Sequence, residues 1–192
     1  MDRVKINEVA EIFLSPLCRE DLYGEAKLLK RSSIEDGKIV KEKLNNCSLE
    51  NGVDSNKFLK KGDIVFQAKG ITDKYAVLID EDYDNLVSHR MFFNIRINSK
   101  KILPEYLEIL LNSEEAKDYF ESNSNGRVIR IVTNKTLGNF KIPLLEIEKQ
   151  ILIVKLFKKY KEEEKETLRY LKLKSKLMNR IISTILSGEE ND

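Results

Sequence analysis

The stretch EIEKQILIVKLFKKYKEEEKETLRYLKLKSKLMNRIISTILS, residues 146–187, decides the architecture. It runs for 42 positions without Gly or Pro, the two residues that most readily end a helix. As a single helix it would be roughly 63 Å long at ~1.5 Å per residue. Positions spaced alternately by four and three carry Ile153, Phe157, Tyr160, Thr167, Leu171, Met178, Ile181 and Ile185. Glu164 and Lys174 interrupt the row, while Leu168, Leu177 and Ile182 widen it and Gly188 supplies a stop. This is a heptad-like seam with a polar middle. A body of 145 residues is only ~26–30 Å across, so such a helix should overhang it. Burying each of Leu171, Met178, Ile181 and Ile185 would be worth ~1.5–3 kcal/mol. Ile153, Phe157, Tyr160, Leu171, Met178, Ile181 and Ile185 are therefore read as a dimerisation surface. An amphipathic helix folding back on its own body is the blander reading.

Charge follows the same division. The 192 residues carry 34 Lys and Arg against 32 Asp and Glu, a net +2. Residues 1–145 hold 23 of each sign, whereas residues 146–187 hold 11 basic and 6 acidic side chains. A near-neutral total excludes a polybasic tail or a uniformly basic nucleic-acid coat. No apolar run approaches the ~18–20 residues of a membrane span. Met1–Ala10 lacks the apolar stretch of a secretory signal, so a cytoplasmic protein with reduced thiols is expected. Cys18, Cys47 and the single His89 are scattered along the sequence, which predicts no metal site.

Upstream of the helix the pattern is that of strands and turns. Ile12–Leu14, Ile64–Phe66, Tyr75–Ile79 and Phe92–Ile97 are short runs rich in β-branched and aromatic residues. Asp36-Gly37, Asn51-Gly52, Gly62-Asp63 and Gly70 punctuate them as turns. Pro104 opens a helix through Leu111, Ser113 caps a second through Phe120, and Thr133-Asn134 caps a short turn before Phe140–Leu144. Val128–Val132 reads as a strand. The expected fold is a mixed α/β (α+β) domain over 1–145, one long helix over 146–187 and an acidic tail over 188–192.

Several segments, in this order, resemble the DNA-specificity (S) subunits of type I restriction–modification systems. Leu59-Lys60-Lys61-Gly62-Asp63-Ile64 is similar to the family's entry into a central strand, and Lys69-Gly70 with Ala76–Ile79 to its glycine hairpin. Leu103-Pro104-Glu105-Tyr106-Leu107 with Leu111-Asn112-Ser113 is similar to its "P-E-Y-L … L-N-S" helix. Ile142-Pro143-Leu144, then Glu148-Lys149-Gln150 and Ile153, is similar to the junction into its conserved helix. Leu145 departs from a second proline there, and Lys149 divides the usual Glu-Gln pair. Leu28–Ile34 fits the first target-contacting segment more loosely. Such subunits usually carry two recognition domains and two conserved helices, and this sequence holds one of each.

The resemblance implies a non-catalytic specificity module that binds double-stranded DNA and needs no cofactor. Its partners would be adenine methyltransferase (modification) subunits, the restriction subunit where one exists, and either a second copy or a different half-subunit. Two copies in antiparallel contact would present two identical domains to a palindromic split target. Base readout needs paired donors and acceptors, and phosphate contact needs cations and amides. Candidate DNA-binding residues on the body's loops are Lys30, Arg31 and Ser32 (beside Ser33), then Lys69, Thr72 and Lys74. His89 and Arg90 (beside Ser88) follow, and then Asn123, Asn125, Arg127, Arg130 and Lys135, with Arg127 and Arg130 foremost.

Other chemistries fit poorly. Pro16, Pro104 and Pro143 are isolated, so the Asn/Asp-Pro-Pro-aromatic segment of an adenine methyltransferase is missing. Glu115-Ala116-Lys117 has the spacing of a nuclease Glu-x-Lys but falls in a helical stretch. No glycine-rich phosphate loop occurs, and Asp80–Asp84 lacks the glycine and closing glutamate of a calcium loop. A coiled-coil scaffold, or a regulatory half-subunit without independent DNA reading, is the remaining alternative.

Overall fold

A computed structural model describes residues 2–50, 54–70, 76–124 and 130–187. It divides into a body, Met1–Ile151, and a second unit from Leu152 onward. In the body β1 (Arg3–Lys5), α1 (Ile6–Val9), β2 (Ala10–Phe13), β3 (Cys18–Glu20) and β4 (Ala26–Leu29) come first. A tight hairpin, β5 (Ile34–Glu35) and β6 (Lys38–Ile39), leads to β7 (Asn45–Leu49) and β8 (Ile64–Gln67). Then come β9 (Ala76–Leu78), β10 (Leu86–Ser88), β11 (Phe92–Ile97), α2 (Pro104–Leu111), α3 (Glu114–Asn123), α4 (Asn134–Asn139) and β12 (Lys141–Pro143). The long helix, α5, spans Ile147–Ser187.

Two four-stranded sheets organise these elements. One is antiparallel in the order β2-β11-β8-β9; the other, β10-β4-β7-β3, contains a parallel pair at β10–β4. Period-two alternation explains the layers. Val65 and Val77, paired across β8 and β9, join Phe13, Leu29, Leu86 and Phe92 in a core fed by both sheets. The next pair, Phe66 and Ala76, belongs to the opposite face. There Phe66 meets Phe120 of α3 at 4.9 Å between ring centres, and Phe120 meets Phe140 at 5.2 Å. A smaller cluster of Ala26, Leu28, Cys47 and Val87 lies on the second sheet.

The motifs that carried the resemblance are joints of this body. Gly62 takes φ +90° and turns the chain into β8, which no β-branched residue does without strain. Asp63 behind it is buried and accepts the Lys60 amide at 2.9 Å. It also receives Arg96 through Nε at 2.9 Å and Nη2 at 2.6 Å. That guanidinium donates further to the carbonyls of Asn56 and Phe58, and the Asp63 carboxylate raises its pKa. Asn112, at the end of α2, accepts from the Ala76 amide at 3.0 Å and donates to the Ala76 carbonyl at 2.9 Å. A side-chain amide thus continues the ladder at the edge of β9. Tyr106 Oη donates to the Pro143 carbonyl at 3.0 Å. Gln150, wholly buried, accepts from the Leu103 amide and donates to the carbonyls of Lys101 and Leu145.

The elements depart from expectation at several places. α3 continues to Asn123, three residues beyond Phe120, with Ser113 as its cap at 3.2 Å. The expected strand over Val128–Val132 is reduced, among the described residues, to an isolated bridge from Ile131 to Lys69. α1 has no counterpart in the sequence reading, because four residues are too few to reveal a helical period. Thr133 caps α4 as read, and Asp36-Gly37 forms the β5–β6 turn with both φ angles positive. The Asn51-Gly52 turn and the acidic tail over 188–192 lie outside the described residues.

The second unit, described by itself, is helix throughout its described length. Phe157, Tyr160, Leu171, Met178, Ile181 and Ile185 are all exposed, from 37% at Phe157 to 72% at Ile185. Ile153 is half-buried. No helix among the described residues is long and apolar enough to cross a membrane.

Candidate nucleic-acid interface

The loop segments singled out in the sequence are linked, where described, by a run of contacts that forms a strip across the body. Its first part follows from the parallel pairing of β4 with β10, which registers Leu29 with Ser88. Parallel strands end on the same side, so the segments after them emerge together. Lys30, Arg31 and Ser32 therefore stand beside His89 and Arg90, and the His89 amide donates to the Leu29 carbonyl at 2.9 Å. Next along the strip, the Ala68 amide donates to the Met91 carbonyl at 2.8 Å, bringing in Lys69 and Gly70. Lys69 bridges to Ile131, and the Val132 amide reaches the Ala68 carbonyl at 2.9 Å. Arg130 completes the run by pairing with Glu121 of α3 at 3.2 Å, two residues before Asn123.

Within the strip some side chains are free to meet a ligand and others are engaged. Arg31, Ser32, Lys69, His89, Arg90, Asn123, Arg130 and Lys135 are exposed. Lys30 is half-buried and pairs with Glu20 at 2.5 Å, so it is held more by the fold than its place in a loop suggests. Arg31 spends one donor on the Ile34 carbonyl at 3.0 Å. Asn123 donates back to the Tyr119 carbonyl at 2.8 Å in its own helix. Lys135 sits in the first turn of α4, past Val132. Thr72, Lys74, Asn125 and Arg127 lie outside the described residues.

Two serines read as surface groups are internal struts. Ser88 is buried, and its Oγ donates to Asn94 Oδ1 at 2.7 Å, with Ser15 bonded to both. Ser33 is buried and donates to the Lys43 carbonyl at 2.8 Å. The reason is the same in each case. A small hydroxyl, at the end of β10 for Ser88 and in the short turn before β5 for Ser33, satisfies a backbone or amide partner that the core has cut off from water.

The sequence reading missed Gln67. It is buried at the end of β8, and its amide donates to the Lys69 carbonyl at 3.0 Å and to that of Gly70. Gly70 takes φ +71° at this point. Gln67 thus shapes the base of the hairpin that carries Lys69. Its signal was a polar side chain closing an otherwise apolar strand, Ile64-Val65-Phe66-Gln67.

Chemically the strip offers guanidinium, ammonium, imidazole, hydroxyl and amide groups, which can bind anions and hydrogen-bond base edges. No cluster of His, Cys, Asp and Glu able to hold a metal ion occurs among the described residues. Glu115 of the nuclease-like triplet lies on α3 and pairs with Arg3. Burial, assisted by the neighbouring Cys18, pushes the Cys47 thiol up to about 12, the opposite of an activated nucleophile.

No family model matches the chain. Over 98 residues it is 32% identical to the Type I restriction enzyme HindI specificity subunit of Haemophilus influenzae, covering 49% of this chain and 21% of that protein. Its whole length superposes on half of a chain in a type I R-M system structure concerned with complex assembly and conformational transition, with TM-score 0.75 and 24% identity. The fold is that of a type I specificity subunit. The HsdS subunit of Thermoanaerobacter tengcongensis is similar over 100% of this chain and 50% of its own, with TM-score 0.67 and 24% identity. The S subunit of M. genitalium is similar over 98% and 46%, with TM-score 0.57 and 14% identity. The chain thus spans about half the length of these solved chains, and its match covers 21% of the HindI subunit.

Proposed function

We propose that this chain is a non-catalytic, sequence-specific DNA-recognition module of a type I restriction–modification system, working in the cytoplasm. The body reads one half of a bipartite double-stranded target, and the long helix is the spacer and pairing element against which adenine methyltransferase subunits dock. The observation that carries this reading is the strip running from Lys30 through His89, Lys69 and Arg130. Its backbone contacts link candidate DNA-contacting segments from four separate places in the sequence, which supports the reading. Arg130 and Lys69 are its proposed centre; Thr72, Lys74, Asn125 and Arg127, close to them in the sequence, remain candidates outside the described residues.

The test is methylation mapping in cells that carry the chain with a type I methyltransferase subunit. Replacing Arg130 by Ala should relax one base position if Arg130 reads guanine, with a loss of about 1–3 kcal/mol in discrimination. Replacing Lys69 by Ala should weaken methylation evenly across sites if Lys69 contacts phosphate. A methylation pattern unchanged by both replacements together would refute the assignment and favour a scaffold that uses the helix alone. Any loss should come without unfolding, because both side chains are exposed.

A further inference from the structure

The seam of α5 has two charged interruptions, Glu164 and Lys174, of opposite sign and each five residues from Arg169. We infer that the helix pairs with a second copy of this chain, antiparallel and in a single register centred on Arg169, with Glu164 of each copy opposite Lys174 of the other. This deepens the proposed pairing role of the helix, on which it rests, and is independent of whether the strip reads DNA.

The argument is one of layers. In an antiparallel pair centred at 169, Ile153 falls opposite Ile185, Phe157 opposite Ile181, and Tyr160 opposite Met178. Glu164 then meets Lys174, and Thr167 meets Leu171. Each layer occurs twice by symmetry, and every seam position finds a partner. Every apolar seam residue meets an apolar one except Leu171, which meets the methyl-bearing Thr167. Leu168 and Tyr170, flanking the seam, lie at the symmetry axis opposite their own copies and extend the apolar strip there.

Other arrangements fail on charge. Parallel pairing in register sets Glu164 against Glu164 and Lys174 against Lys174. A slip of one heptad puts Glu164 opposite Ile181 or Thr167, and Lys174 opposite Leu171 or Phe157. Either slip strands a charge against an uncharged layer and leaves a heptad of seam without a partner. Polar residues at seam positions cost stability and specify register; here their signs also specify direction and a self-complementary partner. In the free chain Glu164 holds Lys161 of its own helix at 2.5 Å. The apolar seam residues from Phe157 to Ile185 are exposed and available for the contact, and Lys174 is exposed with them while Glu164 is half-buried.

Sedimentation of the purified full chain, without DNA, tests this. The wild type should be a dimer. E164K places Lys against Lys in two layers, and K174E places Glu against Glu. Each should weaken dimerisation on the order of 100-fold, from roughly tenfold per reversed layer. The double variant E164K/K174E should recover wild-type association. An equimolar mixture of the two single variants should also recover it, as a heterodimer. Near-UV circular dichroism monitors the body; if a reversal perturbs it, E164Q and K174Q serve in its place, with about tenfold weakening each. A wild type that stays monomeric at tens of micromolar overturns the self-pairing, while the methylation test of the strip stands unaffected. A dimer indifferent to the single reversals, or a double variant as weak as the singles, overturns the register.

Discussion

Gln150 offers the sharpest test of how the body is assembled. It is the buried polar residue of the first turn of α5, and it closes three hydrogen bonds of 2.8 to 2.9 Å to Leu103, Lys101 and Leu145. Replacing it by Leu keeps the volume but withdraws all three, leaving a backbone amide and two carbonyls without those partners. At about 1 kcal/mol per group, the low end for a buried polar group left unsatisfied, the loss should be ~3 kcal/mol. With a urea slope of ~2 kcal/mol/M, the midpoint should fall by about 1.5 M with the slope unchanged. Gln150→Glu adds a signature of its own. Its carboxylate can still accept from Leu103 but can face the two carbonyls only by being protonated there, so its folded pKa is raised. The folded state then binds more protons than the unfolded one above the ordinary glutamate value of ~4.3, and stability falls as pH rises. The Glu variant should therefore lie closer to wild type at pH 4 than at pH 7, while the Leu variant's deficit stays constant. A Leu variant within ~1 kcal/mol of wild type, or a Glu deficit independent of pH, would refute this account of the joint.

Three further outcomes follow from other parts of the body. A Cβ on Gly24 would lie 2.1 Å from the Cys47 carbonyl carbon and 2.5 Å from the Ser48 nitrogen. Gly24→Ala should therefore shift β7 and cost about 2 kcal/mol or more, lowering the melting temperature by several degrees. Arg96→Met leaves the Asp63 carboxylate buried and without its cation. It should cost about 3–5 kcal/mol in chemical denaturation, partly recovered by adding Asp63→Asn. The Cys47 thiol, pushed up to about 12 mainly by burial, should resist maleimide at pH 8 until the chain unfolds, as read by mass mapping. Because that value exceeds the unfolded thiol's ~8.5, stability should decline as pH rises from about 9 toward 12.

What the sequence disclosed, and what it withheld, divides by the range of the interaction. The long helix was legible because its signal is local and repeated: no helix breaker over 42 positions and a four–three spacing of apolar side chains. The turns at Gly62, Gly70 and Asp36-Gly37 were legible because positive φ selects its residues. The second sheet was not, since Asn45-Asn46-Cys47-Ser48-Leu49 has little β-branched character and is a strand through its pairing with β3 and β4. Tertiary pairing there overrides propensity.

The same distinction explains the candidate interface. Asp63, Asn112, Tyr106 and Gln150, which carried the family resemblance, are each buried at or bonded across a joint between elements distant in sequence. Their identities answer to the fold, where one missing partner is costly. Lys69, His89, Arg90 and Arg130 are exposed, and replacing them costs the fold little. The contacts that link their segments depend on the parallel pairing of β4 with β10 and on the bridge from Lys69 to Ile131, neither of which has a local signature. Ser33 and Ser88 mark the limit of reading loops by composition, because a hydroxyl beside an exposed arginine or histidine can equally be the strut beneath it.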